Sequence, residues 1–178
     1  MSHLCKSIKN NNYIIVIGYV LFYILFSHSK SYADAVSINI KYIKELSETN
    51  EYQEYDQRLI KKSIASDKVG KIAYAVYLPP GFDIESNKKW PVILFIHGAW
   101  ELGRDGKLQS LRGIGEVLIK HPEYYPAIVI MPQSPFIYGW IDKTMDNIAI
   151  QILDSVINEY NGDRDRIYLT GLSLGGSG

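Results

Sequence analysis

The sequence predicts an α/β fold in which a mostly parallel sheet carries helices on both faces. Residues 92–96 form a continuous apolar run without polar alternation, which is typical of a strand covered on both sides. Apolar residues recur at spacings of three and four across residues 145–160, which indicates a long amphipathic helix. These segments belong to the order strand, helix, strand, helix, strand, and right-handed crossovers in that order produce a parallel sheet.

The first elements are predicted from alternation and turn residues. We expect an initial strand within residues 52–64. Residues 71–78 alternate, with the large apolar side chains at the even positions on one face, which indicates a second strand. Pro79-Pro80-Gly81 ends that strand, and the apolar run at 92–96 is the predicted central strand.

The later elements are predicted in the same way, from apolar patterns and from the residues that end helices. Residues 108–120 predict a helix that ends before Pro122, because proline disfavours helical geometry in its predecessor. The long helix stops at Asn161-Gly162, a usual C-terminal signal. Two further strands are predicted, at residues 127–131 and 166–170.

The N-terminal 35 residues have the features of an export signal. Lys6 and Lys9 give a positive start, residues 13–26 are almost wholly apolar, and small residues follow near Ala33. We therefore predict a signal peptide at 1–35, a leader or short helix at 36–51, and a secreted or periplasmic protein without stable membrane association after cleavage. An uncleaved membrane anchor and a buried core helix remain the alternatives, although the apolar run is short for a span of about 20 residues.

Composition argues against several function classes. The 178 residues contain 19 Lys plus Arg and 19 Asp plus Glu, so no net field attracts nucleic acid. The single cysteine, Cys5, lies within the predicted signal peptide, so no disulfide is expected. Neither a metal-ligand spacing nor a phosphate-binding glycine loop is present, so no metal and no cofactor are predicted.

A candidate nucleophile lies close to the C-terminal end of the sequence. Ser173 is the centre of Gly171-Leu172-Ser173-Leu174-Gly175, directly after the last predicted strand. A Gly-x-Ser-x-Gly turn between a strand and a helix exposes the serine on a sharp elbow, and Gly171 and Gly175 leave room for it. The N–H of Leu174 is then one candidate donor to an oxyanion.

The sequence resembles the α/β-hydrolase superfamily, and within it secreted serine esterases similar to phospholipase/carboxylesterases, polyhydroxybutyrate depolymerases and feruloyl esterases. The resemblance covers about residues 52–178. It rests on the elbow and on four further segments, namely Tyr77-Leu78-Pro79-Pro80-Gly81-Phe82, the strand leading into His97-Gly98, Met131-Pro132-Gln133 and residues 165–171. It implies a serine hydrolase that cleaves a small-molecule or polymeric carboxylic ester through an acyl-enzyme.

The resemblance also implies roles for the loop after His97. It places the second oxyanion donor on the N–H of Ala99, with Trp100 as the neighbouring candidate, and gives His97 and Gly98 a structural role in that loop. The catalytic acid and base of such enzymes follow the serine, so we expect them outside this chain. Trp100, Glu101 and Trp140 are possible substrate-binding residues.

Three functions stay open at this point. The first is an ester hydrolase. The second is a peptidase similar to prolyl oligopeptidases, which share the elbow and the strand order. The third is a non-catalytic product, either an inactive remnant or an exported binding module. The oligomeric state is not predicted.

Overall fold

A computed structural model describes residues 41–135, 140–141 and 143–177, and the backbone of Ile14 and Ile15. Apart from those two residues, the predicted signal peptide and residues 36–40 of the predicted leader lie outside the described residues. None of the helices within the described ranges combines the length and the apolar character needed to cross a bilayer.

The described residues form one mixed sheet flanked by helices. Its strands are β1 (Ile14–Ile15), β2 (Leu59–Ser66), β3 (Gly70–Tyr77), β4 (Trp90–Ile96), β5 (Ile128–Pro132) and β6 (Gly162–Gly171). They lie in the order β1-β6-β4-β5-β3-β2. The α-helices are α1 (Asn50–Gln57), α2 (Ile114–Lys120), α3 (Lys143–Glu159) and α4 (Leu174–Ser177), and residues 41–47 are also helical.

The centre of the sheet is parallel and one side is antiparallel. Strand β4 pairs in parallel with both β5 and β6, and β1 pairs in parallel with β6 at Tyr168 and Leu169. Strands β2 and β3 are joined by a turn at residues 67–69, too short for a crossover, so they pair as an antiparallel hairpin. Strand β3 then pairs antiparallel with β5.

Helices cover both faces of the sheet, which confirms the predicted α/β architecture. Helix α3 packs against one face, where its buried side chains include Met145, Ile152 and Val156. The opposite face is covered by α1, α2 and the helical turn that carries Leu46. Alternate residues of one strand therefore enter different cores, as Val76 and Tyr77 of β3 do.

Two predicted elements begin later than the sequence indicates. Residues 50–57 are helical because Thr49 caps the helix, its Oγ1 accepting the N–H of Tyr52 at 3.2 Å, and β2 therefore begins only at Leu59. The helix predicted at 108–120 is divided into a 3₁₀ turn at Leu108–Ser110 and helix α2. Gly113 separates them at φ 60°, a conformation that ends the regular turn.

The Gly113 position tests how tightly the second core is packed. A Cβ there would lie 2.6 Å from Phe95 Cζ, whereas a Cβ at Gly81, also at positive φ, meets nothing within 4 Å. We expect Gly81→Ala to lower the free energy of unfolding by about 1 kcal/mol from backbone strain alone. Gly113→Ala should cost about 1–3 kcal/mol more from overpacking, as measured by urea denaturation, and equal losses would contradict this packing.

Candidate active site

Ser173 lies on a strained turn between strand β6 and helix α4. Its φ is 51°, a left-handed conformation that is uncommon for a residue other than glycine. The turn is fixed to the neighbouring strand because the N–H of Leu172 donates to the carbonyl oxygen of Ile96 at 2.9 Å. The serine therefore lies at the carboxyl ends of two adjacent parallel strands, where ligand sites of such sheets are found.

The two glycines of the elbow are required by contacts with main-chain atoms. A Cβ at Gly171 would lie 2.4 Å from the carbonyl oxygen of Gly175. A Cβ at Gly175 would lie 2.1 Å from the carbonyl oxygen of Ile96. Because both contacts are with backbone, a side chain at Gly171 would distort the elbow itself, and one at Gly175 would force the elbow away from β4.

The loop after β4, residues 97–106, lies directly beside the elbow. A Cβ at Gly98 would be 3.6 Å from Ser173 Cβ and 3.4 Å from the carbonyl oxygen of Leu172. Ala99 opens a 3₁₀ turn at Ala99–Glu101, and Leu174 opens α4. The first N–H groups of a helical turn have no acceptor within it, so both residues carry N–H groups suited to an outside acceptor.

His97 is buried and both of its ring nitrogens are engaged by the main chain. Nε2 accepts the N–H of Ser134 at 2.9 Å, so the proton lies on Nδ1, which donates to the carbonyl oxygen of Gly98 at 2.6 Å. Burial lowers the pKa of His97 to about 4, although the Gly98 hydrogen bond favours the charged form. The imidazole is therefore neutral at pH 7.

Gln133 and Ser134, which the sequence analysis did not single out as site residues, hold the 97–106 loop in place. Gln133 Oε1 accepts the N–H of Gly106 at 2.8 Å, and its Nε2 donates to the carbonyl oxygen of Glu101 at 3.1 Å. The carbonyl oxygen of Ser134 accepts the N–H of Gly103 at 2.9 Å. In the sequence, Gln133 was notable only as part of the segment Met131-Pro132-Gln133, which did not indicate these contacts.

An open cleft of about 310 Å³ adjoins the elbow. Trp100 and Leu172, which are 49% and 40% exposed, form part of its walls. The other lining residues are Glu101, Arg112, Gly113 and Glu116. Trp140 does not line it. The Trp140 ring is 1% exposed and contacts the His97 ring edge-on at 5.2 Å.

Three ionisable groups of the cleft interact with one another. Arg112 pairs with Glu116 at 2.8 Å, and its guanidinium lies 4.6 Å from the ring centre of Tyr42. Burial raises the pKa of Glu101, while the main-chain N–H of Gly98 and the charge of Arg112 act in the opposite direction. Among the described residues there is no group of three His, Cys, Asp or Glu side chains that is placed to hold a metal ion.

Several solved structures of esterases are similar to the chain. A thermostable esterase has a TM-score of 0.57 and 30% sequence identity, with 67% of this chain and 35% of its own chain covered. A ferulic acid esterase has a TM-score of 0.51 and 24% identity, with 67% and 52% covered. The chain thus spans between 35% and 52% of their length. No protein-family model and no curated protein matches the chain.

Gln133→Ala tests whether this amide holds the 97–106 loop. The substitution leaves the Gly106 N–H and the Glu101 carbonyl oxygen without their partner, so we expect a loss of about 2–4 kcal/mol in unfolding free energy. Hydrogen exchange at the Gly106 amide should also accelerate. Gln151→Ala, at an exposed position of α3, is the matched control and should change neither quantity. An unchanged Gly106 exchange rate in Gln133→Ala would contradict the role.

His97 should make the fold sensitive to acid. Because its folded pKa of about 4 lies below the ordinary value of 6.5, the unfolded chain takes up the proton first, and stability falls as pH drops from 6.5 towards 4. The His97 contribution to this loss is about 3 kcal/mol. Denaturation across that pH range should show a smaller loss for His97→Gln. An NMR titration midpoint of the imidazole near 6.5 would contradict the account.

Proposed function

Because the chain has the α/β-hydrolase fold and resembles serine esterases of that superfamily, we propose that it hydrolyses carboxylic esters through an acyl-enzyme at Ser173. The observation that carries the proposal is the strained position of Ser173, at φ 51° and beside Gly98 of the 97–106 loop. A serine held in this way is exposed to a bound carbonyl group, and strain at a single residue is typical of functional sites.

The reaction is proposed to follow two steps. Ser173 Oγ attacks the ester carbonyl as a base removes its proton, and the alcohol leaves with a proton as the acyl-enzyme forms. Water then attacks the acyl group, releases the acid and returns the proton to Oγ. The N–H groups of Leu174 and Ala99 are the proposed donors to the oxyanion of each tetrahedral intermediate, with Trp100 as the neighbouring donor.

We propose that the general base lies outside the described residues. The structure describes two of the four histidines. His97 has both ring nitrogens bonded to the main chain, which supports a structural role in shaping the loop. His121 lies exposed at the C-terminal end of α2, where it pairs with Glu123 at 3.4 Å. In strand-turn-helix hydrolases the acid and the base follow the serine in sequence.

The proposed substrate is a small-molecule or polymeric ester, and the proposed location is outside the cytoplasm. The second statement rests on the charge and apolar pattern of residues 1–35 alone.

Fluorophosphonate labelling tests the proposed nucleophile directly. An activated serine forms a stable phosphonyl adduct, so the full-length protein should be labelled at Ser173 and should hydrolyse p-nitrophenyl esters. Ser173→Ala should abolish labelling and lower kcat by at least about a thousandfold, because the covalent step is lost.

Ser177→Ala is the matched control, since Ser177 is an exposed serine on the same short helix. It should keep both labelling and turnover. Labelling that survives in Ser173→Ala, or a full-length protein that neither reacts with the probe nor turns over esters, would contradict the proposal.

A further inference from the structure

We propose that Glu101 is a positioning residue, whose carboxyl group fixes the turn that presents the Ala99 N–H to the reacting carbonyl. This inference rests on the proposed ester hydrolysis at Ser173 and deepens it, because it assigns a role to a residue that acts through the loop rather than on the substrate. The role follows from a carboxyl group that the fold buries beside the elbow.

The carboxyl group of Glu101 is enclosed by the protein. Glu101 is 5% exposed, and its Oε2 is buried without a hydrogen-bond partner among the described residues. Because Oε2 is closed to solvent, a substrate in the cleft does not reach that oxygen. Burying a carboxyl group is unfavourable unless other interactions compensate for it. We therefore expect this one to act through the main chain that surrounds it.

The place of Glu101 in its turn shows what the carboxyl group holds. Gly98 is the N-cap of the 3₁₀ turn Ala99–Glu101, so Glu101 is the third residue of that turn. In a capping box, a glutamate or glutamine at this position accepts the N–H of the N-cap residue. The N–H groups of Gly98 and of Glu101 itself hydrogen-bond the carboxyl group and favour its ionised form. Glu101 therefore ties the end of the turn back to its beginning.

A glycine at the N-cap leaves the turn without the second bond of a capping box. That bond needs a side-chain oxygen on the N-cap residue, and Gly98 forms no side-chain cap hydrogen bond. The bonds to the Glu101 carboxyl group use the N–H groups of Gly98 and Glu101, and not that of Ala99. The turn is thus fixed without using the donor that the proposed reaction needs.

Gly98 also brings the carboxyl group close to the elbow. A Cβ at Gly98 would lie 3.1 Å from Glu101 Oε2. The same point is 3.6 Å from Ser173 Cβ and 3.4 Å from the Leu172 carbonyl oxygen. A rotation of the peptide after Gly98 would therefore move the Ala99 N–H relative to Ser173. A misplacement of about 1 Å at a reacting centre is enough to cost about a hundredfold in rate.

The negative charge of Glu101 opposes a nearby oxyanion, and Arg112 balances part of it. Burial is the largest influence on Glu101 and raises its pKa, whereas the guanidinium of Arg112 favours the ionised form. Glu116, which pairs with Arg112 at 2.8 Å, acts in the same direction as burial. A glutamine at position 101 keeps an acceptor oxygen but carries no charge. Glu101→Gln therefore separates hydrogen bonding from charge.

Two substitutions in the full-length protein test the role. Glu101→Met keeps the length of the side chain but removes its acceptor oxygens. We expect kcat for p-nitrophenyl butyrate to fall about tenfold to a hundredfold while KM changes by less than about threefold. Glu101→Gln should keep kcat within about threefold. Glu123→Met, at an exposed carboxylate of another 3₁₀ turn, is the matched control and should change neither value.

Propyl trifluoromethyl ketone separates positioning from a simple loss of folded protein. Ser173 Oγ adds to its carbonyl carbon, the serine proton passes to the base, and the carbonyl oxygen becomes an oxyanion. The inhibition constant should therefore rise in Glu101→Met by about the factor by which kcat/KM falls. An inhibition constant does not depend on the fraction of the protein that is folded, so a purely structural role would leave it unchanged.

Hydrogen exchange at the Gly98 amide reports on the bond itself. Exchange should be slow in the unsubstituted protein and in Glu101→Gln, and faster in Glu101→Met. Unprotected exchange of Gly98 in the unsubstituted protein would overturn the proposal even where Glu101→Met does not fold.

Unchanged kcat and an unchanged inhibition constant in folded Glu101→Met would overturn the role of Glu101 and leave ester hydrolysis intact. A raised KM with unchanged kcat would overturn it too, because that pattern indicates binding of the substrate itself. A loss in Glu101→Gln as large as that in Glu101→Met would assign the effect to charge instead of hydrogen bonding. A full-length protein without turnover and without fluorophosphonate labelling of Ser173 would overturn both proposals, so the two failures are distinguishable.

Discussion

The close approach of the Ser173 elbow to the end of strand β4 is the steric constraint on which the site depends. Only a hydrogen atom fits at Gly175, where a Cβ would lie 2.1 Å from the Ile96 carbonyl oxygen. The same carbonyl oxygen accepts the Leu172 N–H, so one main-chain atom fixes both sides of the turn. With the elbow held there, Ser173 has a positive φ, and its Cβ lies close to Gly98 of the loop that leaves β4.

A second set of contacts keeps that loop rigid. The end of β5 holds it through Ser134, whose N–H bonds to His97, and through Gln133, which bonds at Glu101 and Gly106. A neutral imidazole and an uncharged amide make these bonds, so the support itself brings no charge next to the serine. The oxyanion donors proposed at Ala99 and Leu174 depend on this support, because preorganised N–H groups stabilise developing negative charge without further rearrangement.

The sequence predicted what short-range patterns encode. The apolar run at residues 92–96 lies in β4, and the segment with apolar residues at spacings of three and four forms α3. The elbow at Ser173 lies directly after β6. Contacts between segments that are distant in the sequence produce no local pattern, so the sequence did not predict them. Gln133 meets partners 27 and 32 residues away, and the unsatisfied Glu101 oxygen is recognisable only once burial is known. The need for a glycine at position 113 comes from the nearby ring of Phe95, which periodicity does not encode.

The most direct test of the central claim is a crystal structure of the full-length protein with a phosphonate bound to Ser173 Oγ. The adduct mimics the tetrahedral intermediate, so one phosphonyl oxygen should accept hydrogen bonds from the N–H groups of Leu174 and Ala99 at about 2.7–3.1 Å. A phosphonyl oxygen turned away from both groups, with the 97–106 loop remote from the adduct, would contradict the account.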